Sequence, residues 1–188
     1  MGGALSVAQG LLILSNPGYY DYDSFRDRLL LVVEGAALLA THVGLVGLHV
    51  RQAGGYGRPG VAGFVAASAG TVMAGVGHLA AVPFFDFVNV GGMTYVLFSL
   101  KEGFFSMGGM VYVLGVVGMS VGYPLLGVAT TRAGTLPVWS GLALIAGAIG
   151  LWAGNALGWV VFGLAWVAVG ISLWLDLGVR SGPSKDVG

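Results

Sequence analysis

The run LLLVVEGAALLATHVGLVGLHV, from Leu29 to Val50, contains no Lys, Arg or Asp. It constrains the fold more than any other feature of the chain. A helix needs about 20 predominantly apolar residues to cross the ~30 Å hydrocarbon core of a bilayer, and this run is long enough. Glu34, His42 and His49 interrupt it. Ionisable side chains are costly in hydrocarbon, so they turn toward the interior of a bundle and take partners there. The run therefore calls for a membrane and for neighbouring helices.

The rest of the chain makes the same demand. Further apolar runs fall at about residues 59–82, 108–129, 136–154 and 156–177, with a shorter one at 2–14. Only 9% of the 188 residues are charged and the mean hydropathy is +0.88, against roughly 25% charged in a soluble domain. So few charges cannot cover a water-facing surface. Most of the 35 glycines sit inside the apolar runs, and glycine is more frequent in membrane helices than in soluble ones. The expected fold is an all-α polytopic transmembrane bundle of six spans, or five if residues 2–14 do not cross. A single bundle domain covers 1–178, and 179–188 form a short polar cytoplasmic tail.

Lys and Arg near helix ends set orientation. With six crossings, Arg51, Arg58, Arg132, Arg180 and Lys185 collect on one side. Arg26, Arg28 and Lys101 fall on the other, diluted by Asp21, Asp23, Asp27, Asp86 and Glu102. Both termini are therefore expected to be cytoplasmic. Trp139 and Trp174 then mark the cytoplasmic boundary, and Trp152 and Trp159 the outer one. Pro124 should kink the helix that contains it. The connection 83–109 carries Asp86, Lys101 and Glu102, which oppose a crossing. Residues 93–100 within it read as a short helix lying in the outer interface.

The polar residues of the opening run share a face. At about 100° per residue, Glu34, Leu38, Thr41, His42, Leu45 and His49 fall within a ~100° stripe. On the next helix, His78 follows Thr71 and Gly75 on one stripe. If the two helices are antiparallel neighbours, Glu34 and His78 lie at similar depth and can form an intramembrane carboxylate–imidazole pair. His42 and Thr71 are the next candidate partners of Glu34. His49, beside Arg51, reads as a wetted interfacial histidine. His42 and His78 differ too much in depth to share a haem, and His42 and His49 are about two turns apart, too far for one metal. No cofactor, metal site or catalytic residue is expected. The chain has no cysteine, and phosphate loops, nucleophile elbows and zinc-protease signatures are absent.

Small residues recur at a four-residue step in Gly118 and Gly122, and in Ala146, Gly150, Gly154 and Gly158. Such faces let helix backbones approach closely. They serve packing within the chain first, and a homo-oligomer or membrane-protein partner second. With 8 basic and 8 acidic residues, nothing recommends nucleic acid as a partner. The expected role is that of a non-enzymatic structural or regulatory membrane protein. The alternative is a small proton-coupled transporter or channel-like protein using Glu34 and His78.

Two loops carry a resemblance. GLHVRQAGGYGRPGVAGF and LLGVATTRAGTLPVWSGLALIAGA are similar to the cytoplasmic hairpins of a group of small bacterial integral membrane proteins with no established activity. Those proteins show a GLxxRQAG loop, matched here by Arg51, Gln52, Ala53 and Gly54. They also show a GxAxxRAGxLPxW loop, matched by Gly127, Ala129, Arg132, Ala133, Gly134, Leu136, Pro137 and Trp139. The resemblance implies a polytopic bundle in a bacterial inner membrane and brings no site residue with it.

Overall fold

The computed structural model describes residues 1–15, 25–81, 107–152 and 156–180. Among them there are six helices and no strand: α1 Gly2–Leu14, α2 Phe25–Gln52, α3 Gly57–Ala81, α4 Met107–Ala133, α5 Val138–Trp152 and α6 Ala156–Arg180. Two tight turns close the α2–α3 and α4–α5 hairpins. Each contains one left-handed glycine, Gly57 (φ 62°) and Gly134 (φ 64°), where a Cβ would be strained. Pro59 sits in the first turn of α3, where helix N–H groups have no intrahelical partner. Pro137 immediately precedes α5, and its carbonyl accepts from the Ser140 backbone N–H at 2.9 Å. Helix α4 continues through Pro124 to Ala133.

Each helix runs antiparallel to the next. Gly35 lies beside Gly75, Gly70 beside Gly115, and Gly127 beside Gly141. Gly150 lies beside Gly158, and α6 returns to α1 through the contact of Gly163 with Gly3. The six helices thus form a ring in which α1 separates α2 from α6. The short loops after α2 and α4 share one end, called here the Arg51 end. Helices α1, α3 and α5 end, and α2, α4 and α6 begin, at the opposite, Glu34 end. The expected interfacial helix at 93–100 lies outside the described residues.

Four helical segments, Val32–Gln52, Gly57–Ala80, Met110–Ala133 and Ala156–Asp176, are long and apolar enough to cross a membrane. The other two helices are shorter. Helix α5 has 15 residues and α1 has 13, or roughly 22 and 20 Å at 1.5 Å per residue, less than the ~30 Å core. The apolar run expected to span from 136 to 154 includes Leu136 and Pro137, but these belong to the turn before α5. Composition alone did not separate turn from helix there.

The surface is that of a protein solvated by hydrocarbon. Val43, Val50 and Trp174 are 70%, 72% and 73% exposed, while Ser6, Gln9, Glu34, Thr41, Gln52, Thr71 and Thr130 are buried. Tyr123, Phe162, Leu38, Leu45, Leu48, Met119 and Val169 fill the centre. The closest seam joins α3 to α4. A methyl group built on Gly70 would lie 2.7 Å from the Gly115 carbonyl oxygen, and one on Gly118 would lie 2.9 Å from Gly70 Cα. The neighbours are backbone atoms, which cannot rotate away as a side chain can. Gly70→Val is therefore expected to force α3 and α4 apart, at a cost of about 1–3 kcal/mol or more. Gly54→Val, at a position with open space around it, should leave stability within about 0.5 kcal/mol of the parent. Unfolding in mixed detergent micelles measures both, and equal effects of the two changes would contradict this packing.

Candidate functional site

The side chains with most chemistry meet at the Glu34 end. Glu34 lies two residues inside the Val32–Gln52 segment, and His78 two residues before the end of Gly57–Ala80. Antiparallel packing puts them at one depth. Gly35 and Gly75 bring the two helices together beside them, since a methyl on either would lie 3.1–3.2 Å from the other's carbonyl oxygen. His78 Nε2 then sits 3.2 Å from Glu34 Oε2. The same oxygen accepts a hydrogen bond from Gln9 Nε2 at 2.8 Å. The Tyr112 ring of α4 packs edge-on against the His78 ring, with centroids 4.7 Å apart. Side chains of α1, α2 and α3 thus bond around one carboxylate oxygen, and α4 covers the imidazole.

This geometry stabilises a carboxylate. Hydrogen bonds to an ionised acceptor are stronger than neutral ones, and a buried charge needs them to offset its lost hydration. Two buried atoms of the site have no partner among the described residues, Gln9 Oε1 and His78 Nδ1. The arrangement can hold a negative charge, a proton or a neutral hydrogen-bonded acid. Among the described residues no three His, Cys, Asp or Glu side chains come together as metal ligands.

The two secondary candidates lie elsewhere. His42 Nδ1 faces Ser68 Oγ at 3.3 Å, and its Cα is about 12 Å along α2 from that of Glu34. The Thr71 hydroxyl donates to the Ala67 carbonyl of its own helix at 2.7 Å and accepts from Tyr123 of α4 at 2.7 Å. His49 is half-buried near the Arg51 end. It stacks on Phe64 with ring centroids 3.9 Å apart and bonds to the Tyr56 hydroxyl. Burial raises the Tyr56 pKa above its ordinary value.

The structure adds residues that sequence reasoning did not select. Gln9 is the principal one. Its signal was readable, because Gly2, Gly3, Ser6, Gln9 and Gly10 are the buried residues of α1 and follow a helical spacing. The Arg51 end carries a second set of polar links. Arg51 pairs with Asp176 of α6, and Thr130 Oγ1 donates to Gln52 Oε1 at 3.0 Å. Their partners lie 125 and 78 residues apart in sequence, so no local pattern announces them.

Comparison with models of known protein families, with curated proteins and with solved structures finds no match to this chain. The fold therefore defines its class through its own physics: an all-helical protein with four helices suited to crossing a membrane.

The site makes a stability prediction. His78→Leu leaves Glu34 with one donor in place of two, and breaking a buried pair from one side costs about 3–5 kcal/mol. Replacing both partners with apolar groups removes the stranded charge. The double variant Glu34→Met, His78→Leu should be more stable than His78→Leu alone in the same detergent unfolding assay. A double variant less stable than either single one would show that the pair is not what holds the hairpin.

Proposed function

We propose that this chain is a polytopic protein of a bacterial inner membrane whose role is structural or regulatory rather than catalytic. It would act through the bilayer and through membrane-protein partners or a second copy. The observation that carries this reading is where the buried polar groups go. Gln9–Glu34–His78, Thr71–Tyr123, Gln52–Thr130 and Arg51–Asp176 each link one helix to another. These side chains are engaged in joining helices, which is how polar groups support packing in lipid. The loop resemblance supports the same reading. In it, α1 and α5 count as short crossings that complete six spans. Arg51, Arg58 and Arg132 at one end support a cytoplasmic location for that end.

A second reading, proton-coupled transport, is favoured by one observation: the carboxylate–imidazole contact at 3.2 Å near the Glu34 end. Proton uptake into proteoliposomes that disappears in Glu34→Gln would replace the structural role with transport.

The chain has no cysteine, so topology can be read cleanly. Single cysteines at Ala53 and Thr135 are expected to resist an impermeant thiol reagent applied to intact cells and to react after permeabilisation. Labelling of both from outside would reverse the orientation. Labelling of one alone would contradict the shared end of the two loops.

A further inference from the structure

All three histidines of the chain lie along the α2–α3 seam, at three depths. Two of them meet neutral groups: His42 faces Ser68, and His49 meets Tyr56 and Phe64. Among the described residues, only His78 meets a carboxylate. A neutral imidazole has one N–H and one lone pair, on opposite edges of the ring. With Nε2–H donating to Glu34, the His78 lone pair is on Nδ1, which is buried and unpartnered among the described residues. Gln9 is only 2% exposed, and its Oε1 is likewise unpartnered. The site is therefore rich in acceptors. Its carboxylate, ring nitrogen and amide oxygen are served by one ring N–H and one amide. With a neutral ring it also carries one net negative charge in a low-dielectric setting, which is costly. One added proton removes the net charge, turns Nδ1 from a bare acceptor into an N–H group and leaves Gln9 Oε1 as it was.

We propose that Gln9, Glu34 and His78 form a proton-binding site that is loaded through His78 Nδ1. The arriving proton forms an N–H bond at Nδ1. The Nε2–H bond breaks and an O–H bond forms at Glu34 Oε2. The ring ends as the neutral Nδ1–H tautomer, and Nε2 accepts a hydrogen bond from the new carboxylic acid. One proton is taken up, and the net charge of the site goes from minus one to zero. The 3.2 Å separation is within reach of such a transfer, so no helix has to move. Gln9 keeps donating to the same oxygen and fixes the carboxyl group relative to the ring. Glu34 and His78 both retain 11% side-chain exposure near the ends of their apolar segments; Nδ1 itself is buried, so a proton reaches it by a local opening of side chains at the Glu34 end.

The neighbours leave this chemistry to the pair. From α1 the facing group is Gln9, which does not titrate, and from α4 it is the Tyr112 ring. Along α2, Arg28, Asp27 and Arg26 lie about 9 to 12 Å before Glu34, with His42 about 12 Å and Arg51 about 25 Å beyond it. The site needs the membrane setting proposed above, but it does not need the role to be structural.

The test is nuclear magnetic resonance of the full chain in phosphatidylcholine bilayers, with nitrogen-15 in histidine and carbon-13 in the glutamate carboxyl. Labels are few, because the chain has three histidines and its only glutamates are Glu34 and Glu102. His78→Asn and Glu34→Gln assign the two signals by their loss. On acidification from about pH 8 to about pH 5, a range centred near the ordinary histidine pKa, two changes are expected together. His78 passes from the Nε2–H to the Nδ1–H tautomer, and the Glu34 carbon moves from its carboxylate to its acid position. In Glu34→Gln, His78 should keep the Nε2–H tautomer throughout. An unchanged His78 tautomer overturns the proposal. So does a doubly protonated ring beside a persistent carboxylate, and so does the same tautomer change in Glu34→Gln. The wild-type spectra decide alone, so a variant that fails to fold does not rescue the idea. A chain that is not in the bilayer would be recognised separately, by histidine signals lacking magnetisation transfer from lipid acyl protons.

Discussion

Lipid tails are as apolar as leucine, so helices inside a bilayer gain little from burying apolar side chains against one another. What remains is close backbone contact and polar bonds between helices. This constraint explains the α3–α4 seam. Gly70, Gly115, Gly118 and Gly122 bring the two backbones together so closely that an added methyl at any of them would press on backbone atoms. Dispersion depends on distance, and small residues shorten it along several turns. With that seam as a rigid core, Tyr123 projects toward Phe162 and Trp166 of α6 and bonds back to Thr71. Large rings fill the centre because small residues have cleared the seam beside it.

The same constraint governs the polar groups. In water a buried Glu, Gln or Arg forfeits hydration. In a bilayer the alternative to burial is hydrocarbon, so such groups turn inward and find one another. The links collect near the two ends of the bundle. At one end Glu34 is held by Gln9 and His78; at the other Arg51 meets Asp176 and Gln52 meets Thr130. Between them the described links are neutral hydroxyl and imidazole contacts, Thr71 with Tyr123 and His42 with Ser68. Charge is kept away from the middle, where it would cost most.

Much of this was legible in the sequence. The apolar runs gave the helices, and the 3.6-residue stripe put Glu34, Thr41 and His42 on inward or seam positions. The depth argument that set Glu34 opposite His78 used only antiparallel neighbours and helix rise, and local geometry is enough for that. Sequence reasoning fell short where the deciding contact was distant. Gln9 and Glu34 are 25 residues apart, on helices that are not compelled to touch. Arg51 read as a loop cation because its partner Asp176 is 125 residues away. The length of α5 was misjudged for a different reason: Leu136 is apolar yet belongs to a turn, and hydropathy does not distinguish the two.

Helix α1 shows why Glu34 matters beyond its own hairpin. The helix enters the ring between α2 and α6, and glycines line its contacts. Gly2 packs on Thr41 and Ala37, Gly3 on Gly163, and Gly10 on Ala156. These contacts reach from the middle of α2 to the Glu34 end and no further. Toward the Arg51 end, Gly44 approaches the Trp166 ring and Arg51 joins Asp176, so α2 and α6 meet each other directly. The pair therefore opens like a V, pinned at its apex by an ion pair and filled at its mouth by α1. Among the described residues, one side-chain hydrogen bond ties α1 to the rest: Gln9 to Glu34. Backbone contacts of glycine position the wedge but do not distinguish one charge state from another. The Gln9 bond does, because a donor binds a carboxylate more strongly than an acid. The carboxyl group that joins α2 to α3 is thus also the point through which α1 senses the hairpin, and any change in its protonation acts on both seams at once.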